Sequence, residues 1–227
     1  MKTVGIIGGM GPEATVLLMQ KVLHAVDAKD DADHIPLIVH QNPAVPSRIK
    51  RLIDGAGDDP GPVLAQMARD LAAAGADALA MPCNTAHAYA SQIITATPLP
   101  FLDMRTASID HMRRILPSGA RVGMLASPAV RMAHVFDAPF ATSGLRPVFL
   151  ADETALLALI RRVKSGDTGV GAHAEMARIS RKLATQSDHL LIACTELSLL
   201  TNAMDALEWT DSLDCLTSSI ADFAKTG

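Results

Sequence analysis

Aromatic residues, clustered positive charge and long apolar runs are all scarce in this sequence, and each scarcity excludes a class of protein. Aromatic residues make up 3% of the 227 residues, which argues against stacking surfaces for bases or sugars. The net charge is -4 and no run of Lys or Arg exceeds two residues, so we expect neither a nucleic acid nor a membrane surface as a partner. No apolar run approaches the roughly 20 residues that span a bilayer.

Cysteine is scarce as well. Three cysteines, an odd number, do not suit a disulfide framework and fit a reducing compartment, so we predict a cytoplasmic protein. The first nine residues are typical of a strand and loop rather than of a signal peptide. What the chain does contain is ample material for a core, since 49% of its residues are hydrophobic, and its length allows one large domain or two smaller ones.

Short apolar segments alternate with helix-like segments along the chain, which indicates parallel sheets with helices on their faces. The pattern then restarts, because residues 120–125 resemble residues 2–7, and Gly5 and Cys83 are spaced about as far apart as Gly123 and Cys194. We predict an α/β fold of two similar pseudo-symmetric domains, each a parallel four-stranded sheet flanked by helices, with the active site in the cleft between them. The first domain takes residues 1–102 plus the C-terminal helix in 210–227, and the second takes 103–209. The predicted strands are 4–7, 36–40, 78–81 and 98–102 in the first half, and 120–125, 146–150 and 190–193 in the second.

Two cysteines stand at equivalent places in this repeat, each directly after a predicted strand. Cys83 lies in the segment 81–87, Met-Pro-Cys-Asn-Thr-Ala-His, and Cys194 lies in the segment 193–197, Ala-Cys-Thr-Glu-Leu. A helix beginning after each cysteine is expected to lower its thiol pKa and to bind a carboxylate. Two such thiols across a cleft could remove a proton from one face of a carbon and return one to the other. Cys215 lies inside a helix pattern and is interpreted as structural.

Other interpretations of these residues are open. Cys83, His87, Cys194 and Glu196 could together form a zinc site, but metal sites tend to have denser ligand spacing, so we expect no metal and a packing or capping role for His87. The segment 8–14, Gly-Gly-Met-Gly-Pro-Glu-Ala, partly matches a dinucleotide-binding fingerprint. Because a proline interrupts it and no strand ending in a single acid follows, a tight loop under a small anionic ligand is the simpler interpretation.

The segments 8–15, 81–87 and 193–197 together resemble the aspartate/glutamate racemase family. Glu196 stands where the glutamate racemase branch typically has His, which favours the aspartate racemase branch. The resemblance implies an amino-acid racemase that needs no pyridoxal phosphate or other cofactor, acts on a small amino-acid substrate and forms a homodimer. By the same resemblance, Cys83 and Cys194 are the two acid/base groups. The implied substrate-binding residues are Met10, Arg48, Asn84, Thr85, Ser127, Lys164, Thr195 and Glu196.

Among these, Arg48 and Lys164 match the basic positions that hold the side-chain carboxylate in aspartate racemases. Taken alone, each is an ordinary surface charge beside a turn; if both reach the cleft, they would clamp a second carboxylate. We therefore predict cofactor-independent racemisation of an acidic amino acid, with aspartate favoured. The alternatives are a glutamate or broad-specificity racemase, a related cofactor-free decarboxylase or isomerase, a non-catalytic amino-acid-binding protein, and a dinucleotide-binding protein.

Overall fold

The structure, a computed structural model, describes residues 1–204 and 206–226, and within them the chain forms two parallel four-stranded sheets. The first sheet contains β1 (Val4–Gly8), β2 (Leu37–Gln41), β3 (Ala78–Ala80) and β4 (Phe101–Leu102), in the order β2-β1-β3-β4. The second contains β5 (Arg121–Ala126), β6 (Arg146–Val148), β7 (His189–Ala193) and β8 (Trp209–Asp211), in the order β6-β5-β7-β8. The two orders are the same, which confirms the predicted fold of two similar α/β halves.

Helices cover the faces of both sheets, and their apolar residues recur at helical spacing. In α8, for example, Leu156, Leu159, Ile160 and Val163 are buried, so one stripe of the helix faces the core. The α-helices are α1 (Pro12–His24), α2 (Arg48–Leu52), α3 (Gly61–Ala73), α4 (Ala90–Ala96), α5 (Met104–Ile115), α6 (Pro128–Met132), α7 (Asp137–Ala141), α8 (Thr154–Lys164), α9 (Val170–Ala184) and α10 (Ser212–Lys225). Three 3₁₀ segments are Asp31–Asp33, Thr85–Tyr89 and Leu197–Ala203.

The internal repeat is visible in the register of the central strands. Gly5 of β1 lies opposite Leu79 of β3, and Gly123 of β5 lies opposite Leu190 of β7. Both glycines leave room for a close neighbour, because a Cβ on Gly5 would lie 3.0 Å from the Cβ of Ala76, and one on Gly123 would lie 2.7 Å from a methyl group of Leu190. The glycine in each half is therefore explained by close packing at the same place in the fold.

The structure differs from the sequence prediction near the C-terminus. The fourth strand of the second sheet, β8, pairs with β7 and includes residues 210 and 211, which the prediction grouped with the C-terminal helix of the first domain. The reason is that Asp211 both ends this strand and caps α10, with its side chain accepting a hydrogen bond from Leu213 N. Helix α10 itself packs into the core around Val4 and Ile6 of β1. The exact limits of the two domains stay a prediction. No helix in the described residues is long and apolar enough to cross a membrane.

Candidate active site

The carboxyl ends of the central strands of both sheets meet at a cavity of about 270 Å³ between the two halves. Parallel sheets place loops, and therefore ligands, at this end of their strands. Seven of the ten predicted site residues line the cavity, so the repeat does bring most of them together. They are Arg48, Cys83, Thr85, Ser127, Lys164, Cys194 and Glu196. The wall also includes apolar side chains that carry no chemical signal in the sequence, namely Pro43, Val45, Ile49 and Ile160.

Cys83 follows β3 in an irregular turn and is 6% exposed. Its backbone N–H donates to the Met81 carbonyl (2.9 Å), and its carbonyl lies 2.8 Å from Nδ1 of His87. The sequence predicted a helix beginning after Cys83, whereas the chain forms the 3₁₀ segment Thr85–Tyr89 before α4 begins at Ala90. The first thiol is therefore carried by a short turn rather than by the start of an α-helix.

Cys194 follows β7, and its thiol faces a carboxylate. Its Sγ donates to Oε2 of Glu196 at 3.1 Å, and the residue is 5% exposed. Burial, together with the negative charge of Glu196, raises the pKa of the Cys194 thiol well above its ordinary value. The prediction that a helix start lowers this pKa is thus wrong, because a 3₁₀ segment follows and the carboxylate next to the sulfur favours the protonated thiol.

Lys164, at the end of α8, forms an ion pair with Oε1 of the same carboxylate. Burial alone would lower the pKa of Lys164, but the charges of Glu196, Cys83 and Cys194 outweigh it and raise that pKa. The lysine is therefore an ammonium group near both sulfur atoms. Sulfhydryl, carboxylate and ammonium form a continuous chain from Cys194 through Glu196 to Lys164.

Arg48 reaches the cavity from the opposite half, at the first residue of α2. Ser47 caps this helix by accepting a hydrogen bond from Lys50 N at 3.3 Å. Nη1 of Arg48 donates to the carbonyls of Val45 (3.2 Å) and Pro46 (2.9 Å), and within residues 1–204 and 206–226 no carboxylate forms an ion pair with it. Its charge is thus held in place while the rest of the guanidinium can take up a ligand.

Three predicted binding residues do not reach the cavity wall. Met10 packs in the hydrophobic core of the first half. Asn84 is buried and donates from Nδ2 to Oγ of Ser212 (2.9 Å), and Thr195 is buried and donates from Oγ1 to the carbonyl of Pro82 (3.1 Å). Asn84 is thus bonded to the first residue of α10, and Thr195 is bonded across to the strand-end turn of the first half.

The glycine loop after β1 forms one side of the cavity through Gly9 and Gly11. Gly9 has φ +96, and a Cβ on it would lie 2.4 Å from the backbone of Asn42, so only glycine fits here. The hydroxyl of Thr15 accepts a hydrogen bond from Gly9 N (2.9 Å), which fixes the loop above α1. A rigid loop at a cavity of this size fits a small ligand.

The remaining candidates lie away from the cavity. The ring of His87 points to the Cys83 carbonyl, and within the residues described no group of three or more His, Cys, Asp or Glu side chains is arranged to hold a metal ion. Cys215 lies in α10, where burial raises the pKa of its thiol to about 12. A thiol with such a pKa stays protonated and unreactive at neutral pH.

This chain is similar to proteins that are racemases. The family model for Asp/Glu/Hydantoin racemase matches residues 7–219 of the chain. The broad specificity amino-acid racemase RacX of Bacillus subtilis (strain 168) is 25% identical over 222 residues, which are 95% of this chain and of that protein. The Picrophilus torridus aspartate racemase superposes with a TM-score of 0.88 at 26% identity, over 99% of this chain and 95% of that one. A glutamate racemase from Francisella tularensis in complex with D-glutamate shares the fold, with a TM-score of 0.70 at 14% identity over 99% of this chain and 81% of that one. The chain belongs to the Asp/Glu/hydantoin racemase family and is an amino-acid racemase.

Proposed function

We propose that the protein racemises an acidic amino acid, with aspartate as the preferred substrate, and that Cys83 and Cys194 are its two acid/base groups. The observation that carries this proposal is the placement of the two thiols. They follow equivalent strands of two equivalent sheets and line one cavity. No cofactor takes part in the proposed reaction, so the site itself must stabilise the carbanion that forms when the α-proton leaves.

The proton transfers follow from the surroundings of the thiols. Cys194 begins as a protonated thiol, since burial and Glu196 raise its pKa. Cys83 acts as thiolate and takes the α-proton from one face of the substrate, while Cys194 gives its proton to the other face. After one turnover Cys83 is protonated and Cys194 is the thiolate, which the Lys164 ammonium stabilises. The opposite enantiomer reacts by the same steps in reverse.

The charges on the cavity wall support an acidic substrate. Arg48 and Lys164 approach from opposite halves, and Glu196 offsets one of the two positive charges. Arg48 is the cation that Glu196 does not pair with, and the free edge of its guanidinium can bind the second carboxylate of an acidic amino acid. The hydroxyl of Ser127 accepts a hydrogen bond from Ala129 N (3.3 Å), which leaves its own proton for the substrate. Thr85 lies on the same wall.

One observation favours a broader substrate range. Lys164 is already paired with Glu196, so a side-chain carboxylate has to compete for its ammonium group. A substrate without that carboxylate avoids the competition, which agrees with the similarity to a broad specificity amino-acid racemase. Broad-specificity or glutamate racemisation is therefore the second candidate function.

Exchange of the α-proton for deuterium tests the proposal directly. L-Aspartate, L-glutamate and L-alanine are each incubated with the purified protein in D₂O, with EDTA and without pyridoxal phosphate, and followed by NMR and chiral chromatography. We expect exchange and D-enantiomer formation fastest with aspartate. Comparable rates with alanine would establish the broad range instead, and no exchange with any of the three would contradict both candidates.

The homodimer that the family resemblance implies and the cytoplasmic location that the cysteine content favours stay predictions, and both are part of this proposal. Sedimentation equilibrium of the purified protein tests the dimer, since a mass of one 23.9 kDa chain would contradict it. Fractionation of cells that express the protein tests the location.

A further inference from the structure

His87 lies directly behind the turn that carries the first thiol. Its side chain is fully buried, its Nδ1 lies 2.8 Å from the Cys83 carbonyl oxygen, and its ring packs against Phe101 with centroids 5.4 Å apart. A carbonyl oxygen can only accept, so the hydrogen of this bond belongs to Nδ1. Burial, partly offset by the charge of Asp103, lowers the pKa of His87 to about 4, so the imidazole is neutral at ordinary pH.

The second half places a related pair at the same position. His87 is four residues after Cys83, and its Nε2 lies 3.6 Å from Oδ1 of Asp103, which caps α5. Ser198 is four residues after Cys194, and its Oγ donates at 2.9 Å to Asp211, which caps α10. Each turn is thus followed by a polar side chain facing the aspartate that begins the next long helix.

The two halves differ in what holds the cysteine carbonyl. The Cys194 carbonyl accepts from the backbone N–H of Leu197 at 2.9 Å, a bond within its own turn. The Cys83 carbonyl accepts from the imidazole of His87 instead. Rotation of the peptide plane after Cys83 would move the Cys83 side chain. Because the imidazole of His87 is fixed in the core, its hydrogen bond to the Cys83 carbonyl also fixes the direction of the thiol.

We infer that His87 is a positioning residue of the active site, whose Nδ1–H holds the Cys83 carbonyl and so aims the Cys83 thiol at the cavity. The inference rests on the proposed function. His87 does not line the cavity, and its role is exerted through Cys83 alone. An error of about 1 Å in the position of a reacting group can cost on the order of 100-fold in rate.

Two substitutions separate the hydrogen bond from the packing. His87→Asn keeps an N–H donor close to the position of Nδ1, and His87→Leu keeps apolar packing but has no donor. We expect His87→Leu to lower kcat for racemisation by roughly 10- to 100-fold with little change in KM, and His87→Asn to recover most of that loss. Melting temperatures identify any effect that is due to unfolding. Equal kcat values for the folded Leu variant and the wild type would overturn the inference.

A second measurement does not depend on turnover. Iodoacetamide alkylation of Cys83 and Cys194 is followed by mass spectrometry, and the ratio of the two rates is compared among the wild type and both variants. We expect the ratio to change in His87→Leu and to return towards the wild-type value in His87→Asn. An unchanged ratio in the folded Leu variant contradicts the positioning role even if the wild type racemises none of the amino acids tested, whereas inactivity of the wild type alone contradicts only the proposed function.

Discussion

The two halves of the molecule share a strand order and a thiol at the same strand end, but their charges differ. In the second half the Cys194 sulfur faces Glu196, which pairs with Lys164. In the first half the residue at the position of Glu196 is Thr85, which has no charge. Duplication thus explains the symmetric geometry, and substitutions near one cysteine explain the different protonation. The proposed two-base reaction needs the symmetric geometry and the different protonation, because it requires two thiols on opposite faces of the substrate, one as a base and one as an acid.

The largest expected effect comes from removing either thiol. Cys83→Ala and Cys194→Ala should each lower the racemisation rate by about 100- to 10,000-fold, since general acid or base catalysis contributes that much. Chiral chromatography with aspartate measures the loss. Cys215→Ser is the matched control and should keep most of the activity, because Cys215 lies in α10 outside the cavity. Full activity in either alanine variant would exclude the two-base mechanism.

A smaller effect is expected from Glu196→Gln, which makes the second half resemble the first in charge. Without this carboxylate the pKa of Cys194 should fall, although burial continues to hold it up. We expect the midpoint of Cys194 alkylation to move to lower pH and the racemisation rate to drop by roughly 10- to 100-fold. A Cys194 midpoint at the wild-type pH would show that Glu196 does not control the protonation of this thiol.

The two basic residues of the cavity, Arg48 from the first half and Lys164 from the second, can be compared by their effect on substrate binding. Arg48→Met and Lys164→Met each remove a cation, one from each half, and a hydrogen bond to a charged group contributes about 1.5–3 kcal/mol. We therefore expect KM for aspartate to rise roughly 10- to 100-fold in Arg48→Met, with little change in KM for alanine. If Lys164→Met instead lowers kcat for both substrates, Lys164 stabilises the charges of Glu196 and Cys194 and does not bind the side-chain carboxylate of the substrate. Unchanged KM values for aspartate in both variants would contradict an acidic-substrate clamp.

Much of the fold could be predicted from the sequence, and the charge asymmetry could not. The alternation of apolar and helical segments and the recurrence of Gly5 at Gly123 indicate two equivalent sheets, and both cysteines follow their central strands. The directions of Asn84 and Thr195 depend on the turn that follows each strand, and these 3₁₀ turns send Asn84 to Ser212 of α10 and Thr195 to the carbonyl of Pro82. Composition and spacing do not encode that rotation.

The protonation state of Cys194 was equally beyond the sequence, for a related reason. The proximity of Glu196 in the chain does not show that its carboxylate faces the sulfur, and it could equally have faced solvent. The ion pair between Lys164 and the other carboxylate oxygen helps to hold it in this position. The positions of single charges within a site therefore require the folded structure, even where the family is evident from short motifs.

The last expected effect is on stability and not on the reaction, and it concerns the two capping aspartates, which should respond to pH in opposite ways. Burial raises the pKa of Asp211 to about 6, above the ordinary 3.8 of an aspartate. Burial would also raise the pKa of Asp103, but its hydrogen bonds with Arg105 outweigh this and lower it. The contribution of Asp211 to stability is therefore full below pH 3.8 and is lost as pH rises through about 6, whereas that of Asp103 is present above its unfolded pKa and is lost in acid.

We accordingly expect Asp211→Asn to stabilise the protein at pH 8 by up to about 3 kcal/mol and to change its stability little near pH 3.5, since about two pKa units correspond to roughly that free energy. Asparagine keeps the cap, because its carbonyl can still accept from Ser198 and Leu213 N. Asp103→Asn, the matched variant in the other half, should destabilise the protein at pH 8. Urea unfolding of both variants at the two pH values measures these changes. Destabilisation by Asp211→Asn at pH 8 would mean that the ionised carboxylate is stabilised in the fold, and the two halves would then be alike in their caps although they differ at their thiols.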